Sequence, residues 1–270
     1  MAHPQIASFA RLADGNTKPT RKLEGQKTLL GRTMHSIVYD EINDEYTVPQ
    51  PFAQALLTFR GGANGEEAPI RIIQGPHTEL AEPDRLAVDN INNEIYVPLD
   101  LDKKILVFPR GRGGDVAPIR VLKGPDTTIG AEAVAIDTVH NLLVATGVGD
   151  DGLKLRIFNR TASGNTKPLR LIGGKNSRFG RLGGPIAVYS PKGWIIATVR
   201  GPGALASEEA FMGIWSVMDD GDVPPRWTIG GPKGVFRMPR GVAIDEKNKS
   251  IIASDKRLNS VLTFYFPEAF

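Results

Sequence analysis

The sequence predicts an all-β chain built from one four-stranded unit repeated along its length. Three observations carry that prediction. A turn motif recurs at a nearly fixed interval, short β-type runs recur around it in a constant order, and the 3.6-residue apolar spacing of helices is nearly absent.

The motif reads Gly-x-x-x-Pro. GNTKP stands at 15–19 and again at 164–168, with GEEAP at 65, GDVAP at 114 and GDVPP at 221, so the intervals are 50, 49, 50 and 57 residues. A period in this range points to a solenoid, a propeller or an array. Six residues before each motif glycine stands an aromatic: Phe9, Phe59, Phe108, Phe158 and Trp215. A run closing on glycine follows the motif (TRKLEG, IRIIQG, IRVLKG, LRLIGG, RWTIGG). A third run comes next (SIVYD, RLAVD, AVAID, PIAVY, GVAID) and, past a polar turn, a fourth (EYTVP, EIYVP, NLLVA, GWIIA, KSIIA). Runs of this length, rich in Val and Ile and bounded by Gly, Pro, Asn and Asp, read as strands. One segment departs from the pattern: ALASEEAFM at 204–212 has the spacing for two helical turns.

Within each unit the motif reads as a hairpin turn. Glycine supplies a positive φ, Asn or Asp favours the turn, and Pro leads into the next strand without donating a ladder bond. Four-stranded units repeated at this period are those of a β-propeller, here one domain over residues 1–270. The third strand type occurs a sixth time, as VLTFYF at 261–266. The simplest closure has residues 240–266 supply three strands of a final blade, TRKLEG its outer strand, and QIASFAR pack beside it, which hides exposed edges. Five blades fit this count, with six as the alternative.

The last unit, PRGVAIDEKNKSIIASDKRLNSVLTFYF, resembles an NHL-type propeller repeat, with a PxGVAVD-like strand, an IYVAD-like strand and a following D…N element. The asparagine after Asp255 falls one place later than the usual spacing. Over 83–97, PDRLAVDNINNEIYV matches the first two strands. The resemblance is to bacterial-looking NHL propellers and their gluconolactonase-like relatives, a group with many functions, so it implies fold more than activity.

Gross composition narrows the functional classes. With 41% hydrophobic and 23% charged residues, the chain has an ordinary globular balance. There is no cysteine, which removes disulfides, thiol nucleophiles and thiolate metal sites. A net charge of +3 without a basic tract argues against nucleic acid. No apolar run suggests a membrane span. MAHPQIASFA lacks the pattern of a secretory leader; a trimmed leader would imply a secreted or periplasmic protein, and otherwise a cytoplasmic one is expected. Oligomeric state is not encoded in any of these features.

Candidate chemistry lies where a propeller's first strands begin. Five equivalent positions hold His35, Asp84, Glu132, Gly184 and Arg240. One imidazole, two carboxylates and a guanidinium at a channel mouth can take a polar ligand or a divalent metal such as calcium, with His35, Asp84 and Glu132 as its ligands. An ion pair of Arg240 with Asp84 or Glu132 would explain the same residues without any ligand. The longer connections on that face, GVGDDG at 147–152 and VRGPGALASEEAF at 199–211, add Arg200 to the ligand candidates.

Other regularities read as structural. GVGDDG matches G-x-G-x-x-G but runs into a strand, with no helix N-terminus to receive a pyrophosphate. Arg21, Arg71, Arg120, Arg170 and Arg226 recur in the outer strands, where cations discourage strand addition. Asp40, Asp89, Asp137 and Asp245 close first strands and cap their own turns. Asn159 and Asn248 open glycosylation sequons.

The sequence therefore favours a non-catalytic propeller that binds a protein partner or small polar ligand at its channel-mouth face, with no cofactor required. Its rivals are a metal-dependent lactonase or esterase at the same place and a structural assembly module. In the hydrolase, Arg240 would steady the developing oxyanion.

Overall fold

A computed structural model describes residues 4–149, 151–180, 182, 184–200 and 208–270. Among the described residues, twenty-one strands and five one-turn 3-10 segments make up the regular structure. Four antiparallel sheets each take four consecutive strands. The first holds β3 (Val38–Asp40), β4 (Glu45–Gln50), β5 (Ala55–Arg60) and β6 (Arg71–Gln74), and the second β7 (Ala87–Asp89), β8 (Glu94–Leu99), β9 (Lys104–Pro109) and β10 (Arg120–Lys123). The third holds β11 (Ala133–Asp137), β12 (Leu142–Gly149), β13 (Gly152–Asn159) and β14 (Arg170–Ile172). The fourth holds β15 (Ala187–Tyr189), β16 (Trp194–Val199), β17 (Phe211–Ser216) and β18 (Trp227–Gly230). A fifth sheet has three strands, β19 (Pro239–Asp245), β20 (Ser250–Asp255) and β21 (Ser260–Tyr265). In every blade the strands follow one another in order, as the sequence predicts, and the architecture is that of a five-bladed β-propeller.

The N-terminal strands differ from expectation. β1 (Gln5–Ser8) and β2 (Arg21–Glu24) form their own two-stranded sheet, with Gln5 opposite Glu24 and Ser8 opposite Arg21. The expected closure laid 20–25 outside the C-terminal strands. The hydrogen bonds give β2 to β1, its nearest neighbour in the chain, across the connection at residues 9–20, whose closure costs less than pairing with the far end of the chain. Of 204–212, residues 204–207 lie outside the described residues. Glu208 and Glu209 sit in a turn and Phe211 opens β17, so the described part is not helical.

Contacts within the chain group into two units, Met1–Ile95 with Val107–Ile119, and Tyr96–Leu106 with Arg120–Phe270. In the first unit Leu23, Val48, Leu57 and Phe59 are buried together, with Ile6 and Ile72 against them. In the second, one core joins Val144, Ile157 and Ile172 to Ile195, Val199 and Trp215, and another joins Met212, Ile214 and Phe236 to Ile251 and Ala253. The cores thus lie between successive sheets, fed by the alternate side chains of their middle strands. The repeat aromatics Phe59, Phe108, Phe158 and Trp215 are fully buried, whereas Phe9, beyond the end of β1, is 50% exposed.

The Gly-x-x-x-Pro turn does more than close a hairpin. Its glycine forms a parallel bridge with the outer strand of the preceding repeat: Gly65 with Leu23, Gly114 with Ile73, Gly164 with Leu122 and Gly221 with Ile172. Each bridge carries two backbone bonds, such as Gly164 N to Val121 O at 2.7 Å and Lys123 N to Gly164 O at 3.0 Å. The next residue then reaches the tight turn that follows that outer strand, a one-turn 3-10 segment after β6 and β10 and a plain turn after β14. Asp115 Oδ1 accepts from His77 N, Asn165 Oδ1 from Asp126 N and Asp222 Oδ1 from Asn176 N, each at 2.7 Å. The turn is held from its other side by Thr78, Thr127 and Ser177, whose hydroxyls donate to Gly75, Gly124 and Gly174 carbonyls. Glycine is required before these turns because a Cβ on Gly124 would come within 2.4 Å of Asn165 Oδ1. The motif is therefore a latch between repeats as well as a turn.

The first-strand aspartates behave as expected. Asp40 accepts from Ile42 N and Asn43 N, Asp89 from Ile91 N and Asn92 N, Asp137 from Val139 N and His140 N, and Asp245 from Asn248 N. Three of the five outer-strand arginines reach back over their own sheets, while Arg21 and Arg170 donate to Gly61 O and Val217 O of the next repeat. Arg71 pairs with Glu45, Arg120 donates to the Tyr96 hydroxyl at 3.2 Å, and Arg226 pairs with Asp219 at 2.6 Å while covering Trp194.

Candidate functional site

The five predicted positions keep their equivalence: each lies five residues before the residue that closes its first strand. Their local settings differ. His35 and Asp84 each sit in the extended segment three residues ahead of a strand, while Glu132 immediately precedes β11. Arg240 lies inside β19, at a register shift between Pro239 and Gly241. A bulge of this kind turns one side chain out of the regular alternation.

In the first unit the structure brings His35 and Asp84 together. His35 Nδ1 lies 2.5 Å from Asp84 Oδ1, and the second carboxylate oxygen is 3.2 Å from an Arg85 guanidinium nitrogen. Both side chains of the His–Asp pair are over a third exposed, while that of Arg85 is 9% exposed. Asp84 therefore serves as a hinge between a buried cation and an open imidazole. When Nδ1–H donates to Asp84, the outward Nε2 of neutral His35 carries a lone pair, and on protonation it becomes a donor. The trio lies on extended backbone just ahead of β3 and β7 and is open enough to meet a ligand offering a carboxylate or hydroxyl.

In the second unit Glu132 is half-buried, and its backbone N–H donates to Thr146 O at 2.8 Å. Arg200 is buried and donates from Nε and Nη2 to Leu182 O at 3.3 and 3.1 Å, a tie between chain segments. The neighbouring residues 201–207, most of the longer connection, lie outside the described residues. Among the described residues no three His, Asp or Glu side chains come together in a metal-holding group.

The other long connection is a hairpin extension. β12 and β13 continue pairing out to Gly149 opposite Gly152, so most of GVGDDG is strand and tight turn; Asp150 is outside the described residues. Fully buried Arg156 locks this tip. It donates to Thr128 Oγ1 at 3.0 Å and Gly147 O at 3.1 Å, and pairs with Asp151. Burial pushes the Asp151 carboxyl up, but the hydrogen bond from Lys154 and the charges of Arg156 and Lys154 outweigh it, leaving it below the usual carboxylate range.

Sequence reasoning missed Arg85 and Arg156. Both break the repeat pattern. Arg85 stands where the other units have Ser36, Ala133, Pro185 and Gly241, and Arg156 where they have Leu57, Leu106, Gly213 and Leu262. An arginine in a slot that is otherwise small or apolar was the available signal.

The sheets, their strand order and this geometry define a β-propeller. Hydrazine synthase from Kuenenia stuttgartiensis is a solved structure with this architecture, matched at a TM-score of 0.55 and 9% identity over 91% of this chain and 58% of that one. The chain thus spans under two thirds of that protein's length, and at such identity the likeness extends to the fold alone. No protein-family model and no curated protein matches the sequence. Among the described residues, no helix is long and apolar enough to cross a membrane.

Proposed function

We propose that the chain is a binding propeller that takes a small polar ligand at the residues leading into its first strands. The observation that carries this reading is the His35–Asp84–Arg85 cluster. A half-exposed imidazole is held at 2.5 Å by a carboxylate that a buried guanidinium steadies in turn. Both oxygens of Asp84 are engaged by protein side chains, His35 and Arg85, so the carboxylate orients His35 more readily than it ligates a metal. Glu132 and the bulged Arg240 hold the same repeat position in their own blades and are the corresponding candidates there. The NHL-like pattern of 239–264 accords with this reading, since propellers of that kind share a binding face across many functions.

Thermal melts with acetate, gluconate and phosphate test it, run on the wild type and on Asp84→Ala and His35→Ala. The expected result is stabilisation by gluconate or acetate that both variants lose, with EDTA leaving the melt unchanged and no turnover of glucono-1,5-lactone. Lactone hydrolysis that needs calcium and vanishes in Asp84→Ala would replace this reading with the hydrolase. No response to any probe would remove the small-ligand reading and turn attention to a protein partner.

A further inference from the structure

Asn64–Gly65 is the one place in the sequence where asparagine is followed by glycine. Every other asparagine precedes a residue with a side chain, as in Asn16-Thr17, Asn165-Thr166 and Asn248-Lys249. The difference matters chemically. The backbone nitrogen after an asparagine can attack the side-chain amide carbon, and a side chain on that following residue hinders the attack. At Gly65 nothing lies within 4 Å of where a Cβ would stand, and both residues are exposed to water.

The fold holds both reacting groups in place. Gly65 N donates to Lys22 O at 2.9 Å, and Asn64 Oδ1 accepts from Lys22 N at 3.1 Å. Glu24 N donates to Gly65 O at 2.9 Å on the other side of the bridge. The attacking nitrogen and the amide under attack are bound to one residue of β2, and neither turns toward the other while that contact lasts. In the latch between Gly221 and Ile172 the corresponding residue is Asp220, whose Oδ1 accepts from Leu171 N at 2.8 Å. A carboxylate therefore fits where Asn64 sits.

We propose that Asn64 is a modification site, deamidating through its own backbone when the latch between β2 and the first four-stranded sheet opens. In that step Gly65 N bonds to Asn64 Cγ, the bond from Cγ to the side-chain nitrogen breaks, and that nitrogen leaves as ammonia with the proton from Gly65 N. Water then opens the five-membered imide at either carbonyl. One opening gives aspartate, which accepts from Lys22 N as Asp220 does from Leu171 N. The other gives isoaspartate, whose main chain is one methylene longer. That chain cannot offer Lys22 both bonds at their present spacing, so the latch recloses on aspartate and not on isoaspartate. Local openings of this kind cost less than global unfolding, and the modification is a one-way record of them. This inference is independent of the ligand reading.

Peptide mapping of the full chain aged in mildly alkaline buffer, folded and in urea, tests it. In urea Asn64 is expected to deamidate before any other asparagine. In the folded chain the same site should react at least about tenfold more slowly, because the hydrogen bonds of the latch must open together. Leu23→Ala, which removes the buried side chain at the bridge, should raise the folded rate several-fold. Arg21→Ala, which releases Gly61 O at the surface, should raise it less and makes the same comparison where Leu23→Ala does not fold. Asn64→Asp should melt close to the wild type, whereas the chromatographically separated isoaspartate form should melt lower. Equal rates in the two states, a different asparagine reacting first in urea, or a folded rate that neither variant raises would overturn the proposal.

Discussion

β10 and β21 each end a sheet, yet their outer edges are treated in opposite ways. β10 is four residues long, starts at Arg120 and is bridged by Gly164, while Asn165 caps the helical turn that follows it. β21 is longer, uncharged and exposed, and no following turn reaches it among the described bridges. The difference shows where edge protection comes from in this chain. The outer strands β2, β6, β10 and β14 are each finished by the turn of the next repeat. Stability is then largely a sum of units and nearest-neighbour contacts, as in other repeat proteins.

That comparison can be broken in graded ways. The largest effect is expected in the interior core, where Trp215 is fully buried between sheets. Trp215→Ala should lower stability by about 3–5 kcal/mol in urea unfolding. The matching change at the half-exposed terminal aromatic, Phe9→Ala, should stay within about 0.5 kcal/mol. Equal costs would mean that the terminal repeat is as well packed as the interior ones.

Next come the latches. Gly124→Ala places a methyl where Asn165 sits, at a residue with φ of 139°. A loss of about 2–3 kcal/mol is expected from strain and the evicted side chain. Asn165→Ala removes one hydrogen bond and should cost about 1 kcal/mol. Once Gly124→Ala has displaced Asn165, adding Asn165→Ala should cost almost nothing more, a coupling that a double-mutant cycle reads directly. Additive costs would show that the two residues act separately.

The smallest effect distinguishes two latches by pH. Burial raises the Asp115 carboxyl, but hydrogen bonds from the His77 ring and backbone overcome it and hold the group below its usual range. A depressed carboxylate contributes stability that is present above its unfolded value near ~4 and is lost as the pH falls through the folded value. Melting temperatures from neutral pH to pH 3 should therefore fall less steeply for Asp115→Asn than for the wild type. Asn165→Ala should shift the whole curve without changing its slope, since the amide does not titrate.

Much of the fold was readable because a repeat multiplies its own signal. Five aromatics at one offset from five glycines identify the third strand even where single runs are ambiguous. The latch was hidden by a coincidence of chemistry, because the Asn or Asp that favours a tight turn is also a good acceptor for a neighbouring N–H. Asp115, Asn165 and Asp222 look like turn residues until the turn that follows the preceding repeat's outer strand is seen beside them. The His35–Asp84 contact joins residues 49 apart and follows from equivalent positions in adjacent repeats. Arg85 and Arg156 were obscured by reading repeats for what they share, when each matters as a departure. The length of GVGDDG misled because added residues can lengthen a hairpin as easily as open a loop.

The most direct test of the latch is amide hydrogen exchange at Asp126, whose N–H is held at 2.7 Å by the side chain of Asn165 from the next repeat. In Asn165→Ala the Asp126 amide should lose its protection, while the β12–β13 amides keep theirs. Unchanged protection at Asp126 would contradict the account, and would leave the motif as a hairpin turn alone.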